Sequence, residues 1–272
     1  MPDPNKRRRR LVTGQLNPDN RVPADEPAVG GSFAGSLVDD RFRSACGVSS
    51  NVVVTVRHRE WKQNEPVRHT IGHPSVLIGR DVRCDIALRD PIVSYRHTYL
   101  QLLDGQLLCF DLASRSGTFC RSDRHRSGPL ELGEEIFIGP FSLTISTEES
   151  ESGNEAGGPL VPADGLSGIA GTIPNIPSTV LKFMHGSPNL EPMTLNRPVT
   201  LIGESNRCRV KLTDGSVSQV HCSIVRTQTG VWVVDLLGKG GTLVDGKRVT
   251  RTPLHEGDEL SVGDIRMQIF AQ

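Results

Sequence analysis

The chain has 272 residues, with 31 Lys and Arg balanced by 31 Asp and Glu. It therefore has no global field of the kind that draws nucleic acid or an anionic membrane, and partner choice must be local. No run approaches the ~18 apolar residues of a membrane span and the N-terminus lacks a signal-peptide core, so the expectation is a soluble, cytoplasmic protein.

Residues 1–50 open with a basic run, Lys6 to Arg10, followed by a Pro, Asp, Asn and Gly mixture with no hydrophobic face. They read as a disordered tail whose charges are solvated, and no nucleic-acid partner is expected from them. Val38, Phe42 and Cys46 fall at i, i+4 and i+8, which suggests a short amphipathic helix near Leu37 to Cys46. Residues 51–147 carry short β-branched or apolar runs separated by Gly, Pro, Asp and Ser: VVVTV, SVLIG, DIAL, HTYLQLL, QLLCFDL, GTFC, EEIFIG and FSLTIS. Residues 148–178 begin acidic and become rich in Gly and Pro. They read as a flexible linker spanning on the order of 30 Å, enough for independent domain movement. Residues 179–272 repeat the strand plan, so the fold class is all-β: two β-sandwiches in tandem. The six cysteines, at 46, 84, 109, 120, 208 and 222, have no CxxC spacing and sit mostly in apolar segments. That pattern suits reduced, buried thiols, and neither a metal nor a cofactor is expected.

The two halves match at an offset of 124 without insertion. Leu77, Ile78, Gly79, Cys84, Val93, Ser94, His97, Asp111, Gly117 and Thr118 recur as Leu201, Ile202, Gly203, Cys208, Val217, Ser218, His221, Asp235, Gly241 and Thr242. Two copies of domain length indicate duplication of one folding module. The first copy reads Gly79-Arg80, then Val93-Ser94-Tyr95-Arg96-His97, then Ser114-Arg115-Ser116-Gly117-Thr118. This series resembles the forkhead-associated (FHA) domain, whose signature is GR, SxxH and a Gly-Thr turn preceded by Asn. The resemblance implies an eleven-strand sandwich that holds a phosphothreonine peptide on loops at one apex.

The residue chemistry agrees with that implication. A phosphate dianion needs fixed positive charge and several donors, and the planar guanidinium of Arg80 matches phosphate oxygens. Ser94 is expected to donate its hydroxyl, and Arg96 and Arg115 to add cations. The family pattern is broken at Tyr95, after the serine, and at Ser116, where Asn normally bonds the peptide. Gly79, His97, Gly117 and Thr118, with Gly203, His221 and Gly241 in the second copy, are expected to be structural. The second copy is degenerate where charge matters. Arg80 becomes Glu204, Arg96 becomes Val220 and Ser116 becomes Gly240, leaving Ser218, Gln219 and Lys239, a set that suits unmodified protein better than a phosphate.

The trio Ser94, His97 and Asp111 invites a hydrolytic reading, but residues three apart near a strand point to opposite faces, and no nucleophile elbow surrounds the serine. The sequence thus points to a non-catalytic adaptor whose first domain reads phosphothreonine written by a Ser/Thr kinase. A structural scaffold without phosphate dependence is the alternative. Threonines in segments read as flexible, Thr13, Thr147 and Thr172, are candidate internal ligands once phosphorylated.

Overall fold

The computed structural model describes residues 37–60, 65–151, 179–184 and 191–271. Helix α1 (Leu37–Ala45) leads into β1 (Val52–His58), β2 (Val67–Ile71), β3 (Ser75–Gly79), β4 (Ile86–Ala87), β5 (Thr98–Leu103) and β6 (Gln106–Asp111). The first half continues with β7 (Thr118–Cys120), β8 (Asp123–His125), β9 (Ser127–Leu130), β10 (Glu135–Ile138) and β11 (Phe141–Thr147), and closes with the short helix α2 (Glu148–Glu151). The second half holds β12 (Thr179–Phe183), β13 (Met193–Leu195), β14 (Val199–Gly203), β15 (Val210–Lys211), β16 (Cys222–Thr227) and β17 (Gly230–Asp235). It ends with β18 (Thr242–Val244), β19 (Lys247–Val249), β20 (Arg251–Leu254), β21 (Glu259–Val262) and β22 (Ile265–Ala271).

The strand order of the first sandwich is β2-β1-β11-β10-β7-β8 against β4-β3-β5-β6-β9, and the second repeats it as β13-β12-β22-β21-β18-β19 against β15-β14-β16-β17-β20. Strands missing from the sequence reading are edge or polar ones. β2 (VRHTI) is exposed along most of its length, and β9 contains Pro129, which is tolerated because β9 is the last strand of its sheet. Among the described residues no helix is long and apolar enough to cross a membrane. All six thiols are free and buried, and burial pushes Cys84 and Cys208 up to about 12.

The expectation of independently moving domains is overturned. A sandwich strand ordinarily buries alternate residues, yet β5 and β16 are buried at all six positions each. The reason is that their outer faces meet across the two halves. Ser223 Oγ donates to the Tyr99 hydroxyl at 3.1 Å, and these two residues are equivalent under the repeat. One apolar cluster includes Tyr99, Leu102 and Leu108 together with Val199, Leu201, Val225, Trp232 and Val234. Both sandwiches belong to one compact unit.

Helix α1 seals this junction, so the last part of the tail expected over residues 1–50 is ordered, as the Val38, Phe42 and Cys46 spacing suggested. Asp39 and Asp40 in its first turn and Arg43 in its last complement the helix dipole. Gly47, with φ 65°, ends it: Gly47 N–H donates to Ser44 O at 3.1 Å and Val48 N–H to Arg43 O at 3.1 Å, the double bond of a Schellman cap. Phe42 is fully buried with its ring 4.9 Å from that of Trp232, and Arg251 pairs with Asp39. Residues 1–36 lie outside the described residues, as do 152–178 of the expected linker. The first residues of that linker are ordered: Thr147 pairs with Val52 in the sheet, and Glu148 N–H donates to Asn51 O at 3.2 Å. Thr147 is therefore not in a flexible segment.

Because the two cores share a buried face, calorimetry is expected to show one unfolding transition. Phe42→Ala should lower stability by about 3–5 kcal/mol for both halves together. Two separate transitions in the wild-type chain would contradict a shared core.

Candidate functional site

Three loops of the first sandwich converge at one apex: β3–β4, β4–β5 and β6–β7. Gly79 makes the approach possible. A Cβ there would sit 2.2 Å from the Tyr95 carbonyl oxygen, so only glycine lets the loops close. Arg80 N–H then donates to Ser94 O at 2.9 Å, and Asp81 N–H to Tyr95 O at 3.1 Å. These bonds deliver the Arg80 side chain to the surface beside Ser94. Its guanidinium lies 4.5 Å over the Tyr95 ring, a cation–π contact, and has no carboxylate partner among the described residues. Arg80 Nε is buried without a hydrogen-bond acceptor. Such an orphaned donor costs about 1–3 kcal/mol.

Ser94 and Ser116 face the same apex. Ser94 Oγ accepts from Arg115 N–H at 3.0 Å, which fixes the oxygen and leaves its own proton to point elsewhere. Ser116 Oγ donates to Ile92 O at 3.1 Å, tying the third loop to the second. The Arg115 side chain is exposed. Arg96 does not join them. It is turned into the junction between sandwiches, where Nη1 donates to Val220 O at 2.7 Å and to Leu236 O at 3.0 Å. Burial lowers its pKa, with Asp235 acting in the opposite direction. The sequence placed Arg96 among the phosphate cations because it lies close to Ser94 in the SxxH segment. The structure assigns it to the interface instead, since two unsatisfied carbonyls of the second sandwich need a donor there.

His97 braces the apex from below. Ser94 N–H donates to His97 Nδ1 at 3.1 Å, and His97 Nε2 lies 3.0 Å from Gly117 O. With one nitrogen accepting and the other donating, the ring is neutral and neither nitrogen is left for Ser94 Oγ, so the trio with Asp111 is not a proton relay. Asp111 instead organises the Gly-Thr turn. Its carboxylate accepts from Ser114 N–H at 3.0 Å, from the Ser114 hydroxyl, from Thr118 N–H at 3.0 Å and from the Thr118 hydroxyl at 3.1 Å. Gly117, with φ 88°, occupies the left-handed turn that presents Ser116. Sequence reasoning missed one further residue. Arg207 of the second sandwich pairs with the Asp111 carboxylate and also donates to Asp111 O at 3.2 Å. No local pattern marks it.

The second apex has the same frame and different chemistry. Ser218 Oγ accepts from Lys239 N–H at 2.8 Å, Ser218 N–H donates to His221 Nδ1 at 3.2 Å, and His221 Nε2 lies 3.2 Å from Gly241 O. Gly203 is packed as tightly as Gly79, with a Cβ position 2.5 Å from Gln219 O. Glu204, in place of Arg80, accepts from Gln219 Nε2 at 2.7 Å. Lys239 Nζ is occupied with Gly215 O at 3.1 Å, and Gly240, at φ 76°, has no side chain to offer.

Residues 200–263 match the family model described as FHA domain. The second sandwich carries an FHA domain. The first sandwich shares its strand order and its repeat, and residues 63–149 match the model described as the cytoplasmic domain of an inner-membrane component of type III secretion. An oxoglutarate dehydrogenase inhibitor of Corynebacterium efficiens is 34% identical over 82 residues, 30% of this chain and 58% of that protein. Its counterpart in Corynebacterium glutamicum is 30% identical over 88 residues, covering 32% and 62%. The chain thus spans about three fifths of these relatives. The crystal structure of the FHA domain of CT664 from Chlamydia trachomatis is 20% identical, covers 34% of this chain and 96% of that chain, and gives a TM-score of 0.32.

Burial lowers the pKa of both His97 and His221. A histidine held neutral in the fold takes up its proton more readily once unfolded, so stability is fully present above the ordinary value near 6.5 and is lost as pH falls below it. The urea midpoint is therefore expected to drop between pH 7.5 and 5.5. A midpoint that rises on acidification would show that the rings are charged in the fold.

Proposed function

We propose that this chain is a non-catalytic adaptor whose first FHA domain binds phosphothreonine-containing proteins, substrates of a Ser/Thr kinase, in the cytoplasm. The observation that carries the reading is Arg80: a guanidinium at the apex, levelled on Tyr95, without a carboxylate partner among the described residues and with an orphaned buried Nε. An anion supplies the acceptors this arrangement lacks, and Ser94 Oγ is oriented to donate beside it. Arg115 adds an exposed cation and Ser116 a hydroxyl on the third loop.

The second domain takes no phosphate in this reading. A dianion would meet the Glu204 carboxylate, and the Lys239 ammonium is already engaged. Its part is to support the first domain, through Arg207 on Asp111 and through the carbonyls that hold Arg96. We place the domain limits at residues 51–147 and 179–272, with α1 as part of the junction. The relatives named as enzyme inhibitors fit a family that works by holding other proteins. The threonine-tail idea survives for Thr13 and Thr172, both outside the described residues.

Isothermal titration of the whole chain with a phosphothreonine peptide and its unphosphorylated twin tests the proposal. Arg80→Ala is expected to weaken phosphopeptide binding at least about tenfold, since charge-assisted hydrogen bonds contribute ~1.5–3 kcal/mol each. Ser218→Ala should leave it unchanged. Equal binding of both peptides, or binding indifferent to Arg80, would favour a phosphate-independent scaffold. Arg207→Met should also weaken binding, by a few fold, because the Asp111 turn loses its donor from the second domain.

A further inference from the structure

We infer that the two apices open on one face of the molecule and take a single bipartite partner, with phosphothreonine at Arg80 and, several residues away in the same partner, a lysine or arginine at Glu204. The inference rests on the phosphothreonine reading and adds to it a second binding site and the chemical class that site takes.

The direction of each apex follows from the junction. Arg96 donates to Val220 O at 2.7 Å and Ser223 Oγ to the Tyr99 hydroxyl at 3.1 Å, and each pair is a residue with its own equivalent 124 positions on. A residue meets its equivalent only beside the pseudo-two-fold axis. Positions 96 and 99 both do so, one just before β5 and one within it, so the axis runs along β5 and β16 and not across them. An axis across the strands at position 99 would have set Arg96 against Arg226. Two sandwiches related by an axis along their strands point the same way. A contact off the axis agrees: Arg207, on the β14–β15 loop of the second apex, pairs with Asp111, which organises the turn of the first. Face-to-face sheets stack ~10 Å apart, so apices centred on the two sandwiches lie on the order of 20 Å from one another. That is about six residues of extended chain.

The platform so formed has opposite charge on its two sides. At the first apex the Arg80 guanidinium has no carboxylate partner among the described residues, and Arg115 is exposed on the neighbouring loop. At the second, Glu204 is half-buried, accepts from the neutral amide of Gln219 at 2.7 Å and has no cationic partner among the described residues. The nearby ammonium groups are directed elsewhere, Lys211 Nζ to Asn206 Oδ1 and Lys239 Nζ to Gly215 O. Gln219 is the repeat equivalent of Tyr95. In each copy this position therefore holds the charged side chain of the apex, with a ring beneath the arginine and an amide beside the carboxylate. A carboxylate fixed in this way complements an ammonium or guanidinium and repels an acidic segment or a second phosphate.

The test uses the full chain and phosphothreonine peptides in a Gly-Ser background, with one position roughly five to twelve residues before or after the phosphothreonine set to Lys, Ser or Glu, a window that brackets the span between apices. At one spacing Lys should bind about two- to fivefold tighter than Ser, the effect expected of a rim ion pair, and Glu weaker than Ser. Glu204→Gln should bring the Lys-to-Ser ratio close to one, and Glu204→Lys should turn the preference towards Glu. Glu256→Gln, which removes an exposed carboxylate at the opposite end of the second sandwich, should leave the ratio as it is. Circular dichroism establishes that each variant is folded. Equal binding of Lys, Ser and Glu at every spacing, or a lysine preference that Glu204→Gln does not remove, overturns the inference and leaves the phosphothreonine reading standing. Binding of no phosphopeptide by the wild-type chain overturns both.

Discussion

The Asp111 carboxylate is buried to 1% exposure and must be balanced by donors, because a negative charge removed from water without partners costs several kcal/mol. Four donors come from its own sandwich, at Ser114 and Thr118, and the fifth is the Arg207 guanidinium of the other. The carboxylate thereby joins two things that are separate in sequence: the turn that presents Ser116 and Arg115, and the packing of one domain on the next. Removing one partner of a buried pair is far more damaging than replacing both, so this node couples the apex to the junction more tightly than apolar contact alone would.

The junction has the logic of a two-fold dimer formed within one chain. Tyr99 meets Ser223 and Arg96 meets Val220, each pair related by the repeat, as residues near a symmetry axis must be. The symmetry is broken in the polar contacts. Arg207 reaches across to Asp111, whereas its counterpart Arg83 folds back on Asp81 at 2.6 Å. Asp235, the counterpart of Asp111, is served by Thr242 and Gly238 of its own turn. Arg96 donates across the axis, and Val220 cannot return the bond. Each sandwich thus supplies one arginine to the other, Arg207 to the Asp111 turn and Arg96 to the carbonyls of Val220 and Leu236.

Much of the fold was legible because it depends on local chemistry. The apolar runs became strands, the Val38, Phe42 and Cys46 spacing became α1, and the glycines of the Gly-Thr turns took positive φ. Edge strands such as β2 and β9 were missed, since a half-exposed strand carries no hydrophobic run. Arg96 was misplaced for a different reason: two residues from Ser94 it looks like any other apex cation, and only the second domain's carbonyls show where it is used. Asp111 drew notice as part of a Ser-His-Asp trio, but its partners are turn donors and a distant arginine.

Residue types and their spacing determined the duplication, the all-β class, the framework of both apices and the exchange of Arg80 for Glu204, because each of these is written in side-chain chemistry within a few residues of itself. Tertiary structure alone decided that β5 and β16 bury both faces, that Arg96 belongs to the junction, and that the Arg80 guanidinium lies over the Tyr95 ring. Those outcomes depend on contacts such as Arg207 with Asp111, 96 positions apart, and Arg96 with Leu236, 140 apart. No periodicity in a strand records which surface its outer face will meet.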